Sequence, residues 1–174
     1  MKLEAGVGFS RRGSLQKGKY KFSPRITGED VIFLDLHPPE SRELTKLGAG
    51  WVVGDAQHMP FKDNTFDEIY SSHLIEHLPH PLKFLKECHR VLKPGGTLRL
   101  WCPNIMSKNM YLDPSHVFKP NPYTMKKLLK RAKFSEIHFD CPAVGSLLPN
   151  PIRYVIRSLY LLIANDIRVI AWKE

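Results

Sequence analysis

Cysteine, acidic residues and long apolar runs are all scarce in this sequence. The three cysteines, Cys88, Cys102 and Cys141, stand far apart in 174 residues and form no C-x-x-C pair. A disulfide framework is therefore not expected, and a reducing compartment fits better. No stretch approaches the ~18 uncharged apolar residues that span a bilayer. The nearest, "SLYLLIAN", is short and is flanked by Arg157 and Asp166. The start, "MKLEAGVGF", lacks the apolar core of a signal peptide, so a cytoplasmic location is expected. No internal repeat and no low-complexity tract interrupts the chain. Acidic residues number 17 against 26 Lys and Arg, giving a net charge of +9. That balance favours anionic partners: a phosphate-bearing or other anionic small molecule, an anionic lipid surface, or nucleic acid, for which no motif is present. The plainer reading is a solvated surface, with "KKLLKRAK" as its densest compact segment.

What the chain has is alternation of strand and helix. "KLEA", "DVIFLDL", "GWVVGD", "FDEIYSS", "GTLRLWC", "FSEIHFD" and "DIRVIAW" read as strands, by β-branched content and by turn residues at their ends. "ESRELTKL", "PLKFLKECHRVL" and "NPYTMKKLLKRAK" read as helices, the second opened by Pro81 and stopped by Pro94 and Gly95. Residues 10–29, basic and glycine-containing, read as a loop. Residues 151–164, "PIRYVIRSLYLLIA", read as a strongly apolar helix. The pattern predicts one α/β domain over residues 1–174, with a mostly parallel sheet and an antiparallel last strand.

In such a sheet, ligands bind beyond the carboxyl ends of the strands, where strand order reverses. The strand ends carry usable chemistry. Gly6 and Gly8 follow the first strand, where glycine lets backbone approach a ligand. Asp35 ends the second, placed to accept both hydroxyls of a ribose. Asp55 follows the third, able to accept from an exocyclic amine, with the small Ala56 beside it. Together they describe an adenosine-shaped site. Taken singly, each is equally a turn or capping residue.

The run "VVGDAQHMPFKDNTFDEIYSSHLIEHLPHPLKFLKECHRVLKPGGTLRLWCPN", residues 52–104, resembles the core of the class I S-adenosylmethionine-dependent methyltransferases of the type 11 group. "LEAGVGFS" is similar to that family's first motif and "FLDLHPP" to its second. The resemblance implies a Rossmann-like, seven-stranded sheet with helices on both faces, and S-adenosylmethionine as cofactor. It implies cofactor contacts from Glu4, Gly6, Gly8, Asp35, Leu36, Asp55, Ala56, Gln57, Ser72 and His73. Asn104, Tyr111 and His116 are then expected in the acceptor pocket, with His116 and His73 as candidate bases. The chain departs from the family at Phe9 and Ser10, where small residues and a third glycine are usual. A non-catalytic, methyltransferase-like binding module is therefore the alternative.

"SSHLIEHL" also contains H-x-x-E-H, the order of a zinc peptidase signature. That reading needs His73 and His77 on one stable helix, Glu76 as base and Glu87 as third ligand. Pro79 and Pro81 break any such helix at once, so a braced turn is expected and a metal is not. In the helix at 151–164, Ile152, Val155, Ile156, Leu159 and Ile163 share one face. Core packing is the simplest expectation for that face. A homodimer interface or a peripheral membrane contact are the others.

Overall fold

The computed structural model describes residues 1–6, 30–36, 50–140, 152, 155, 159–161 and 163–174. Within them lies a seven-stranded sheet. Strand β1 (Lys2–Ala5) pairs in parallel with β2 (Val31–Asp35) and β4 (Phe66–Ser72). Strand β3 (Gly50–Val53) lies outside β2, and β5 (Leu92–Pro103) outside β4, both parallel. Strand β7 (Asp166–Trp172) runs antiparallel between β5 and β6 (Ile137–Phe139). The order is β3-β2-β1-β4-β5-β7-β6, so the direction of winding reverses between β1 and β4. This is the expected Rossmann-like sheet, with its antiparallel last strand.

Helix α1 (Pro81–Val91) follows from its apolar spacing. Phe84, Leu85, Cys88 and Val91 fall on one face and are all buried. Proline at the first turn costs no hydrogen bond, because that N–H has no helical partner. Helix α3 (Pro122–Arg131) starts from a reciprocal cap. Thr124 N donates to Asn121 Oδ1 at 2.8 Å, and Asn121 N to Thr124 Oγ1 at 3.0 Å. Met125 and Leu129 bury its inner face, while Lys126, Lys127, Lys130 and Arg131 point to solvent. The basic cluster there is a solvated helix face. The two helices cover a core built on Leu3, Phe66, Ile69, Leu98, Leu100 and Val169.

Three local details differ from the sequence pattern. The chain passes from α1 into β5 at Leu92 with no separating loop, and β5 contains Pro94 and Gly95. Strand β6 is only three residues long. A short helix α2 (Asn109–Leu112) and a 3₁₀ turn at Ile75–His77 carry too few residues to show a period. The expected helix "ESRELTKL" and the basic loop at 10–29 lie outside the described residues. Cys88 and Cys102 are unpaired and buried, and burial pushes both thiols well above their ordinary range.

The apolar helix is partly described, and it corrects the core-packing expectation. Residues 152, 155, 159–161 and 163 are helical. Ile152, Val155, Leu159 and Ile163, spaced for a single face, are 49–71% exposed. Leu161 instead packs against the core. Among the described residues, no helix is long and apolar enough to cross a membrane.

Candidate active site

The register of the sheet sets the level of each candidate residue. Ala5 is paired with Leu34 on one side and Ser71 on the other. One residue further along, Gly6, Asp35 and Ser72 therefore share a level at the carboxyl edge, on both sides of the winding reversal. Gly6 has φ +70° and donates its N–H to the Leu34 carbonyl at 2.9 Å. A Cβ there would stand 2.7 Å from Leu74 Cβ, so both conformation and space require glycine. Ser72 is buried, and its hydroxyl meets no hydrogen-bond partner among the described residues. Such a group, at this edge, marks where a polar ligand atom belongs. Glu4 is buried in β1, in register with Phe33 and Tyr70. Leu36 is exposed just past Asp35. Gly8 lies outside the described residues.

Asp55 closes the next corner. Its Oδ1 accepts from Gln57 N at 2.8 Å and from Gln57 Nε2 at 3.3 Å, and its Oδ2 lies 3.4 Å from His58 Nδ1. Burial alone raises its pKa, but these hydrogen bonds outweigh burial and hold the carboxyl below its usual range. Gln57 serves also as a strut, since its Oε1 accepts from His80 N at the start of α1. The Ala56 methyl is inside the core, so only its backbone faces a ligand.

The turn after β4 brings the histidines together. His73 has φ +53°, and its Nδ1 lies 3.2 Å from Glu76 Oε1. Its ring tilts against Trp101 at 5.9 Å. His77 stands edge-on to His116, with ring centroids 4.7 Å apart. His116 Nδ1 donates to the Met110 carbonyl at 3.1 Å. The loop carrying His116 is tied to the turn, since Phe118 N donates to the Glu76 carbonyl at 3.0 Å. His73 precedes a single 3₁₀ turn and has left-handed backbone, so His73 and His77 share no helix. Glu87 is engaged elsewhere, with Arg90. The zinc-peptidase geometry is therefore not formed.

The structure places the other two expected acceptor-pocket residues differently from each other. Asn104 is fully buried; its Nδ2 donates to the Leu161 carbonyl at 3.1 Å and its N to the Asn165 carbonyl. These bonds brace the end of β5 against the apolar helix. Tyr111 is exposed, with Lys119 Nζ 4.7 Å above its ring. Two features were not foreseen. One is the relay Asp113–Ser115–His77, in which Ser115 Oγ donates to Asp113 Oδ1 at 2.6 Å. The other is Arg90, whose guanidinium knits α1 to the loop that carries Asp55. The string "DPSHV" held the signal for the first, but only the fold brings it to His77.

Comparison with known proteins agrees with this fold. A family model described as "Methyltransferase domain" matches residues 15–100. The ubiquinone/menaquinone biosynthesis C-methyltransferase UbiE of Ruegeria sp. (strain TM1040) is 54% identical over 87 residues, 45% of this chain and 35% of that protein. The 2-methyl-6-phytyl-1,4-hydroquinone methyltransferase 2, chloroplastic, of Oryza sativa subsp. japonica is 36% identical over 95 residues, 52% of this chain and 25% of that protein. The chain thus spans about a third or less of these relatives' lengths. In three dimensions it is similar to a SAM dependent methyltransferase from Archaeoglobus fulgidus. That match has TM-score 0.63 and 20% identity, over 99% of this chain and 85% of that one.

Proposed function

We propose that this chain, which belongs to the type 11 group of class I S-adenosylmethionine-dependent methyltransferases, transfers a methyl group to an acceptor held over the carboxyl ends of β4 and β5. The observation that carries the reading is the shared level of Gly6, Asp35 and Ser72, with the buried Ser72 hydroxyl left without a hydrogen-bond partner among the described residues. Gly6 and Glu4 would hold the methionine portion of the cofactor, and Asp35 with Leu36 the ribose. Asp55, with the backbone of Ala56 and Gln57, would hold the adenine, and Ser72 and His73 the sulfonium end. S-adenosylmethionine supplies an already activated methyl group, so the protein's task is alignment and exclusion of water. A hydroxyl acceptor must also lose its proton. His73 is the better-placed base. Glu76 Oε1 takes its Nδ1–H, which leaves Nε2 free to accept a proton. His116 walls the pocket, its ring engaged with His77 and Met110.

Calorimetric titration with S-adenosylmethionine tests this reading. Binding is expected in the wild type, weakened ~10–100-fold in Asp35→Ala by loss of a charged hydrogen bond. His73→Asn is expected to bind within about threefold of wild type. No heat and no thermal shift at about 1 mM cofactor would leave the non-catalytic binding module as the reading.

For the acceptor, we propose a hydroquinone-type ring on an apolar tail, reached at an anionic lipid surface. Two observations support this. The relatives' names specify quinone and phytyl-hydroquinone chemistry. The stripe Ile152, Val155, Leu159 and Ile163 is exposed on a helix that Asn104 ties to the end of β5. Arg153 and Arg157 lie in the same segment of a chain of net charge +9, which suits anionic headgroups. In a flotation assay the wild type is expected to rise with phosphatidylglycerol vesicles. Leu159→Asp with Ile163→Asp removes two insertions worth about 2 kcal/mol each, and partitioning should fall at least ~10-fold. Equal partitioning of the two proteins would reject the lipid surface.

A further inference from the structure

We infer that Glu76, His77 and His116 form a binding site for a divalent transition metal of the zinc class. One ligand atom from each residue lies within 4.8 Å of the others. Ligands about 2.0–2.2 Å from a tetrahedral ion stand roughly 3.4 Å apart, so side-chain rotation of about an ångström closes the set. The set shares Glu76 and His77 with the H-x-x-E-H reading but differs from it in composition and role: His73 is no ligand here, Glu76 binds the ion, and His116 comes from another loop.

Both imidazoles are set in the tautomer that a metal needs. A carbonyl oxygen can only accept, so the 3.1 Å contact with Met110 puts the His116 proton on Nδ1. Ser115 gives its own hydrogen to Asp113 at 2.6 Å, so at 3.0 Å it accepts from His77 Nδ1–H. Each ring therefore keeps its Nε2 lone pair for a ligand. A metal-bound histidine shows this outer pattern, its far N–H given to a carbonyl or to a carboxylate-linked chain.

Glu76 supplies an independent observation. Its side chain is 0% exposed; Oε1 takes His73, while Oε2 is buried with no partner among the described residues. A buried carboxylate oxygen with nothing to bind is costly, and a cation beside two neutral imidazoles satisfies it. Two nitrogens and one oxygen select zinc, cobalt, nickel or iron over magnesium and calcium, which prefer oxygen throughout. Such an ion would clamp the turn after β4 to the loop at 113–118, beside the site proposed above but without depending on its chemistry.

The experiment is cobalt and zinc titration of chelator-treated full chain, read by visible absorption of cobalt and by metal analysis after desalting. Uptake of one equivalent is expected, with a tetrahedral or five-coordinate cobalt spectrum. His116→Ala and Glu76→Gln should lose stoichiometric uptake. Ser115→Ala, which only positions His77, should weaken it ~10–100-fold. His138→Ala, on β6, is the control and should bind as wild type. His116 is on the loop after α2 and is not fully buried, so that variant reports even where Glu76→Gln fails to fold. No uptake by the wild type would overturn the site, and so would equal uptake by His116→Ala. Neither result would alter the cofactor titration, so the two readings fail separately.

Discussion

Replacing Gly6 by alanine is expected to lower the midpoint of thermal unfolding by roughly 5–15 °C and to remove measurable cofactor binding. Two costs add. Alanine at φ +70° carries left-handed strain, and its methyl would lie 2.7–2.9 Å from Leu74 Cβ, Cδ1 and Cδ2. Strain and overpacking together cost about 2–5 kcal/mol. Rotating Leu74 does not relieve the contact, because its Cβ is fixed to the backbone. That backbone must move, and it carries His73 on one side and the 3₁₀ turn of Glu76 and His77 on the other. Gly6 therefore couples the end of β1 to the whole turn after β4. Scanning calorimetry with and without S-adenosylmethionine checks this. A variant with wild-type midpoint and cofactor affinity would show that the contact is soft and the coupling absent.

The sequence was most informative where one element decides its own form. Strands β4 and β7 stand where their apolar and β-branched residues placed them, and α1 begins at Pro81. The strand-end residues were legible because a parallel sheet sends every carboxyl end to one edge. Pairings between distant segments were not legible. Asn104 stands at a strand end, as pocket residues do, and nothing in the sequence shows that its Nδ2 bonds to the carbonyl of Leu161, 57 residues away. The sequence marks Glu76 and His77 as a brace, but their meeting with His116 depends on how the loop after α2 folds back. The apolar stripe at 152–163 has the periodicity of a core helix, and a sequence pattern cannot say which surface, if any, covers it.

Arg90 is the second position where one side chain holds a corner of the site. Its Nε and Nη2 bind Glu87 at 2.8 and 2.7 Å. Its Nη1 reaches the Phe61 carbonyl and Asp63, and Nη2 also reaches the Met59 carbonyl. Glu87 in turn accepts from Met59 N at 2.7 Å, so the loop after Asp55 hangs on this pair. Arg90→Ala strands two carbonyls and a partly buried carboxylate, a cost of about 2–4 kcal/mol. Arg90→Lys should recover less than half, because an ammonium cannot reproduce the planar fork. The pH dependence identifies the cause. Arg90 holds the Glu87 carboxyl below its usual range, mainly through that hydrogen bond. A depressed carboxylate adds stability above its unfolded pKa, about 4.3, and that stability is lost as pH falls through the folded value. The gap in midpoint between wild type and Arg90→Ala should therefore be widest near neutrality and shrink below about pH 4. A gap that stays constant from neutral to acid pH would mean that Arg90 acts through packing of its stem, not through Glu87.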